Sequence, residues 1–297
     1  MNPRAVHVVV CTHTTRWLAE CLAGLAQQRV RATSVIVSCD NEDEGIRGVV
    51  ARCARDYDME IRLVQREHAG VARLNQVRNN GLRALQSDVG VGDHDQVVVM
   101  DGDVVLDVEA IGQHADLAAR FGMVIPFRID VSEQRSKGVA AAGIIDGSEV
   151  FEIGDTDRKR LAERQRRYER ELAMKLWPLV GGVLVKAHKP KVLGGHHAVR
   201  WSVLKAVNGY DEAYQGYGYD DDDLSRRVHA LRPRVEVGIA VNSVMAFHLW
   251  HPTRASSGGP KATSGYERFM QVDWSSRTLH GLESPIDQAQ VRVITNP

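Results

Sequence analysis

The sequence predicts an α/β fold, a mostly parallel central sheet flanked by helices, and three observations carry that expectation. Short β-branched runs alternate with segments whose apolar residues recur every three or four positions. The first run, "AVHVVVCT", is nearly all apolar instead of alternating, as a strand covered on both faces is. Two of the runs end on a carboxylate, Asp40 and Asp101, at the strand edge where open α/β sheets bind their ligands.

The elements follow in order. "AVHVVVCT" (5–12) is the first strand, and Trp17, Leu18, Cys21, Leu22 and Leu25 mark the helix after it. "TSVIVSCD" (33–40) is the second strand, with Ile46, Val49, Val50 and Cys53 on its helix. "EIRLVQ" (60–65) is the third, "GVARLNQVRNNGLRAL" (70–85) a helix, and "DQVVVMD" (95–101) the fourth strand. This order implies parallel pairing through right-handed crossovers. "FGMVIPFRI" (121–129) reads as one further strand and 130–147 as a loop. Residues 157–177 form a helix with Leu161, Tyr168, Leu172 and Leu176 inward and a basic outer face. That face is either solvated or a docking surface for an anionic acceptor or a membrane. The tail beyond Pro252, with "SSGG" at 256–259, reads as a loop and an appended helix.

Composition narrows the function. Lys plus Arg and Asp plus Glu each total 38, so no global field draws nucleic acid or an anionic membrane, and either partner would need a local patch. Cys11, Cys21, Cys39 and Cys53 lie in apolar patterns without C-x-x-C spacing, which predicts buried thiols in a reducing cytoplasm. No apolar run reaches the length of a membrane span, and the N-terminal stretch is too short for a signal peptide.

The chemistry concentrates in three clusters. Asp101 and Asp103, in "MDGD", are two residues apart, so in an extended segment both face one site, with Gly102 permitting close backbone approach. Paired anions beside an apolar strand resist ionisation unless a cation joins them, and a divalent metal with oxygen ligands does so. "GYGYDDDDL" places Asp220 to Asp223 at a helix start. Capping and the helix dipole account for some of these acids, and the rest are available for proton transfer. Tyr210, Tyr214, Tyr217 and Tyr219 suggest a sugar-binding wall on the approach. In "MAFHLWHP", His248 and His251 follow an apolar strand, where an imidazole is either structural or a further metal ligand, one that favours Mn²⁺ over Mg²⁺.

Taken together and in order, "VVVCTHTTRWLAECLAGLAQQ", "VIVSCDNEDEG", "VRNNGL", "MDGD", "GGHHAVRWSVLKAVNGYDE", "GYGYDDDDL" and "FHLWHP" resemble the family 2 inverting glycosyltransferases of the GT-A fold. The likeness is to members with a galactosyltransferase-like C-terminal half, of the chondroitin-polymerase and β-1,4-galactosyltransferase type, and runs over residues 5–252. The resemblance implies a Rossmann-like nucleotide-sugar-binding half over 1–103 and an acceptor-binding, catalytic half over 104–252. Residues 253–297 would form a loop and helical C-terminal extension. It implies Thr12, Asp40 and Arg78 at the donor nucleotide, together with Asp101 and Gly102. Asp101, Asp103 and His248, with His251 as the alternative imidazole, would hold Mn²⁺ or Mg²⁺. Asp221 would be the catalytic base, paired with Asp220. Gly194, Gly195, Tyr217 and Tyr219 would line donor sugar and acceptor.

The chain departs from the family pattern at "CTHT", at Tyr217 in place of Trp, at Asp220 in place of Glu, and at His196–His197; the basic helix has no counterpart. The expected activity is transfer of a sugar from a nucleoside-diphosphate sugar, most simply a UDP-sugar, to a hydroxyl acceptor. Expected partners exclude nucleic acid and include an anionic acceptor or peripheral membrane contact. A nucleotidyltransferase and a non-catalytic nucleotide-sugar-binding protein are the alternatives on a similar scaffold.

Overall fold

The computed structural model describes residues 4–68, 70–177, 181–216, 218–252, 263–271, 275–287 and 291–297. The first half follows the expected alternation. β1 (Val6–Thr12), α1 (Leu18–Ala26), β2 (Ser34–Cys39), α2 (Glu44–Asp56), β3 (Ile61–Arg66), α3 (Leu74–Ala84) and β4 (Gln96–Asp101) come in turn. The strands pair in parallel, with Val8 opposite both Val35 and Val98. All seven residues of β1 are buried, and pleating explains the unbroken apolar run. Val6, Val8 and Val10 join the core under α1 and α2, while Val9 and Cys11 join the one shared with Val77 and Leu82 of α3.

The second half brings β5 (Val104–Leu106), α4 (Ala110–Ala118), β6 (Met123–Ile125), β7 (Ile129–Asp130), α5 (Glu133–Ser136), α6 (Ala141–Asp146), α7 (Asp155–Leu176) and α8 (Gly181–Leu184). After these come β8 (His196–Arg200), α9 (Trp201–Val207), α10 (Asp220–Ala230), β9 (Val237–Ile239), β10 (Ala246–His248), α11 (Ser264–Gln271) and β11 (Val291–Thr295). Among the described residues the main sheet has eight strands in the order β11-β3-β2-β1-β4-β8-β6-β9. Only β8 and β11 run against the others. A small sheet, β5-β10-β7, stands apart from it.

Four expectations need correction. The stretch 121–129 is not one strand: β6 joins the main sheet and β7 the small one. Pro126, which lacks an N–H, falls between them and cannot continue a ladder. Residues 130–147 are not a loop but hold α5, capped by Ser132 accepting from the Arg135 N–H at 3.3 Å, and α6, whose Ile144 packs with Ala23 of α1. Leu161 and Tyr168 of α7 are buried as expected, yet Leu176 is 52% exposed. The tail contributes more than a helix, because β11 pairs antiparallel with the edge of β3.

The four cysteines are buried and free, and burial pushes the Cys11 thiol up to about 12. Among the described residues, no helix is long and apolar enough to cross a membrane.

Candidate active site

The parallel register aligns the carboxyl ends of β2, β1 and β4. Thr12 lies opposite Cys39, Cys11 lies opposite Asp101, and Asp40 follows β2 directly. Asp40 is buried, with Arg66 Nε 3.3 Å from its Oδ1 and His68 Nδ1 and the Arg73 N–H near its Oδ2. Its Oδ1 accepts no hydrogen bond. Thr12 spends its hydroxyl locally, donating to the Thr14 carbonyl at 2.7 Å and accepting from the Thr14 N–H. A Cβ on Gly102 would come 2.9 Å from Thr12 Cβ, so the expected close approach at this position is met.

Asp101 ends β4, but Asp103 lies beyond it in a turn, so the two do not share an extended segment. Residues 102–103 form the turn that takes the chain from β4 in the main sheet to β5 in the small one. The two carboxylates still feel each other. Burial, then Asp101, raise the Asp103 pKa, opposed by His248, His251 and Arg128. Asp101 Oδ2 faces Arg128 Nη1 at 3.6 Å.

The small sheet delivers the imidazoles. In β10, His248 lies opposite Val104 on one side and Asp130 on the other, and its Nδ1 meets Asp130 Oδ1 at 3.0 Å. Asp103 reaches His248 Nε2 at 3.7 Å and His251 Nε2 at 3.2 Å. Asp103, His248 and His251 each offer a ligand atom within 4.8 Å of the others, and Asp103 Oδ1 is buried without a hydrogen bond. One carboxylate and two imidazoles fit a divalent ion. Both histidines belong to this group, whereas the sequence offered them as alternatives, and Asp101 stands beside it against Arg128.

The four acids of α10 separate by partner. Asp223 is spent on Arg226 at 2.7 Å and Arg227 at 2.8 Å. Asp222 pairs with Lys191 and lies 3.3 Å from His188. Asp220 Oδ2 accepts from Arg78 Nη1 at 2.6 Å. Arg78 is therefore placed beneath the acid pair, its guanidinium 5.0 Å over the Tyr210 ring and 3.6 Å from Asp221. Asp221 Oδ2 accepts the Gly194 N–H at 2.6 Å, and its Oδ1 has no hydrogen-bond partner. Burial and neighbouring Asp220 push the Asp221 carboxyl up to about 7 against the pull of Arg78 and Lys191.

Gly194 and Gly195 join the two carboxylate groups. A Cβ on Gly194 would lie 2.5 Å from Arg78 Nη2 and 2.9 Å from Asp221 Oδ1; one on Gly195 would overlap Arg128 and come 3.2 Å from Asp101 Oδ2. Consecutive residues thus touch the acids of α10 and the end of β4. The Gly195 carbonyl also accepts the Asp101 N–H at 3.2 Å, which locks the join.

The tyrosine wall is corrected. Tyr210 and Tyr214 are buried core, the former bonded through its hydroxyl to His197 Nε2 at 2.6 Å. Tyr219 precedes α10 in the left-handed region, φ 63°, and packs against Tyr266 and Phe269 of α11. Tyr217 lies outside the described residues. His196 points the opposite way from His197 along β8 and meets His114 Nε2 at 3.0 Å, both rings held neutral by burial. Sequence reasoning missed Arg128 and Lys191, single cations outside any motif, whose charge matters only once the sheet ends converge.

Comparison with known proteins bears on the family and the fold. The family described as "Glycosyltransferase like family 2" matches residues 3–185, and "N-terminal domain of galactosyltransferase" matches 181–248. None of the curated proteins matches the sequence. Among solved structures, S. aureus TarS 1-349 in complex with UDP-GlcNAc is similar over 84% of this chain and 60% of its own, with TM-score 0.52 and 15% identity. Its complex with UDP gives TM-score 0.51 and 16% identity over 84% and 61%. A longer TarS structure gives 0.51 and 14% over 84% and 37%. The chain thus spans less than two thirds of these structures' length, and at such identity they bear on the fold, which is GT-A. The family match rests on sequence and takes in more than half of the chain, so the protein belongs to glycosyltransferase-like family 2.

Proposed function

We propose that this protein is a metal-dependent inverting glycosyltransferase, with a nucleoside-diphosphate sugar as donor and a hydroxyl as acceptor. The observation that carries this reading is the join at Gly194–Gly195, which sets a carboxylate with a free buried oxygen beside the end of β4. Asp40, and the backbone at Thr12 and Gly102, form the nucleotide end of the site. The nearby S. aureus structures were solved with UDP and UDP-GlcNAc, which supports a UDP-sugar here. The catalytic domain is 1–252, donor half 1–103 and acceptor half 104–252, and four buried thiols suit a reducing cytoplasm.

Asp103, His248 and His251 would hold Mn²⁺ or Mg²⁺, with Asp101 at its edge. When bound, the ion supplies positive charge for the departing diphosphate. Arg128 and Arg78 place fixed cations along the same edge. Asp221 Oδ1 takes the proton of the acceptor hydroxyl as the hydroxyl oxygen bonds to the anomeric carbon and the bond from that carbon to the diphosphate oxygen breaks. One displacement inverts the configuration. Asp220, neutralised by Arg78, orients the pair. With a carboxyl near 7, Asp221 is poised for proton abstraction at neutral pH.

Thermal shift with UDP and UDP-sugars, with and without Mn²⁺, tests the donor and metal assignments. A true donor at about 100 times its Kd adds about 2.7 kcal/mol. The expected result is a stabilisation that needs both nucleotide and metal and that disappears in Asp103→Ala. An equal shift without metal, or one retained by Asp103→Ala, contradicts the metal assignment.

A further inference from the structure

The glycosyl-transfer site leaves α7 unused. Residues 158–189 carry ten Lys and Arg against three acids in a chain whose net charge is zero. Arg158, Lys159, Arg166 and Arg170 are exposed and form no ion pair among the described residues. The helix then runs into "LWPLVGGVLV" (176–185), ten residues without a charge. A soluble protein ordinarily buries such a run, but Leu176 is 52%, Trp177 64%, Val183 86% and Leu184 56% exposed. Lys175 ties this region to the helix end through the carbonyls of Lys186 at 3.2 Å, Ala187 at 2.5 Å and Lys189 at 2.6 Å. Beside it opens a cavity of about 220 Å³ whose lining includes Leu172, Leu176, Val185, Arg232 and Arg234.

We propose that the C-terminal end of α7, with Leu176 and Trp177, together with Val183 and Leu184 of α8, docks the protein on an anionic lipid surface. Exposed Trp and Leu beside a cationic helix face are the pairing that interfacial anchors use: the apolar side chains enter the headgroup boundary and the cations meet anionic lipid. Charge complementarity selects this occupant. A second copy of the chain would bring the same uncompensated cations against each other, whereas an anionic bilayer neutralises them. The cavity, with apolar walls and Lys175, Arg226, Arg232 and Arg234 at its lining, accepts a headgroup phosphate.

The test is co-sedimentation of the full chain with vesicles of phosphatidylcholine and phosphatidylglycerol in equal amounts, against phosphatidylcholine alone. Binding to the anionic vesicles, weakened by salt, is expected. Because each cation near an anionic surface is worth about 1 kcal/mol, Arg166→Gln with Arg170→Gln should weaken partitioning by roughly 30-fold. Trp177→Ser with Leu184→Ser should reduce it comparably, and the blue shift of tryptophan emission on binding should be absent from Trp177→Phe. All these positions are on the surface and outside the transfer site, so the nucleotide-dependent thermal shift should be unchanged in each variant. Equal binding to both vesicles, no binding, or no loss in the variants overturns the proposal. So does a dimer in vesicle-free solution that Trp177→Ser disperses, which would assign the apolar residues to self-association.

Discussion

Asp221 is distinguished from its three neighbours by what it lacks. Asp222 and Asp223 are consumed by Lys191 and by Arg226 and Arg227, and Asp220 by Arg78, while one oxygen of Asp221 remains unbonded. Asp221→Asn keeps the Gly194 N–H bond and removes only the basic group. Turnover should fall by roughly 10²–10⁴-fold with donor affinity retained, and unchanged turnover would remove Asp221 from that role. The wild-type rate should rise with pH through about 7 as the carboxyl ionises. Stability should move the opposite way. A carboxyl whose folded pKa is raised above the unfolded value favours the fold fully below about pH 3.9, and this contribution is lost as pH rises through about 7. Asp221→Asn escapes that loss, so its melting temperature relative to wild type should climb between pH 4 and 8, about the window in question. A difference flat with pH would show the carboxyl to be unperturbed.

At the scale of elements, the site is an agreement between two sheets and one helix, with Gly194–Gly195 where they meet. Arg78 is 1% exposed and cannot retreat from a new methyl group. Gly194→Ala should therefore cost about 1–3 kcal/mol and most of the activity, since the Asp221 carboxylate must move as well. Gly195→Ala displaces Arg128, which has 27% of its side chain exposed and room to swing, so the fold should survive while metal-dependent donor binding weakens. Melting curves with a donor titration distinguish the two, and a Gly194→Ala enzyme of normal stability and rate would refute the close-contact argument. Within α10 itself, Asp223→Ala leaves Arg227 buried without its carboxylate and should cost about 3–5 kcal/mol in urea unfolding. A loss under 1 kcal/mol, about the worth of a surface pair, would mean that Asp223 is dispensable.

Across the whole molecule, what the sequence made legible was periodic or clustered. The apolar strands, the helical stripes of α1 to α3 and the acids at 101–103 and 220–223 are local patterns, and Asp101 and Asp221 meet across Gly194–Gly195 at the carboxyl end of β4. What could not be read depends on distant partners. Arg128 is an ordinary arginine until β6 and β7 part company at Pro126. Tyr210 and Tyr214 look like a binding wall until the core closes over them. β11 gives the clearest case: "VRVIT" is β-branched but short and little buried, and the open edge of β3 is what pairs it as a strand. Its contribution follows from that. Ladder bonds and the Asn296 bonds to Ile61 add about 0.5–1.5 kcal/mol each, with little apolar burial beneath them. Truncation after Asp287 should therefore lower the melting temperature by only a few degrees. It should also uncover β3 as a bare edge, a template for pairing with other chains. Light scattering should rise with concentration in the truncated protein, while the nucleotide-dependent thermal shift persists, because β4 lies four strand spacings, roughly 19 Å, from β11. A truncated protein that stays monodisperse, or that loses donor binding, would show that β11 does more than cover an edge.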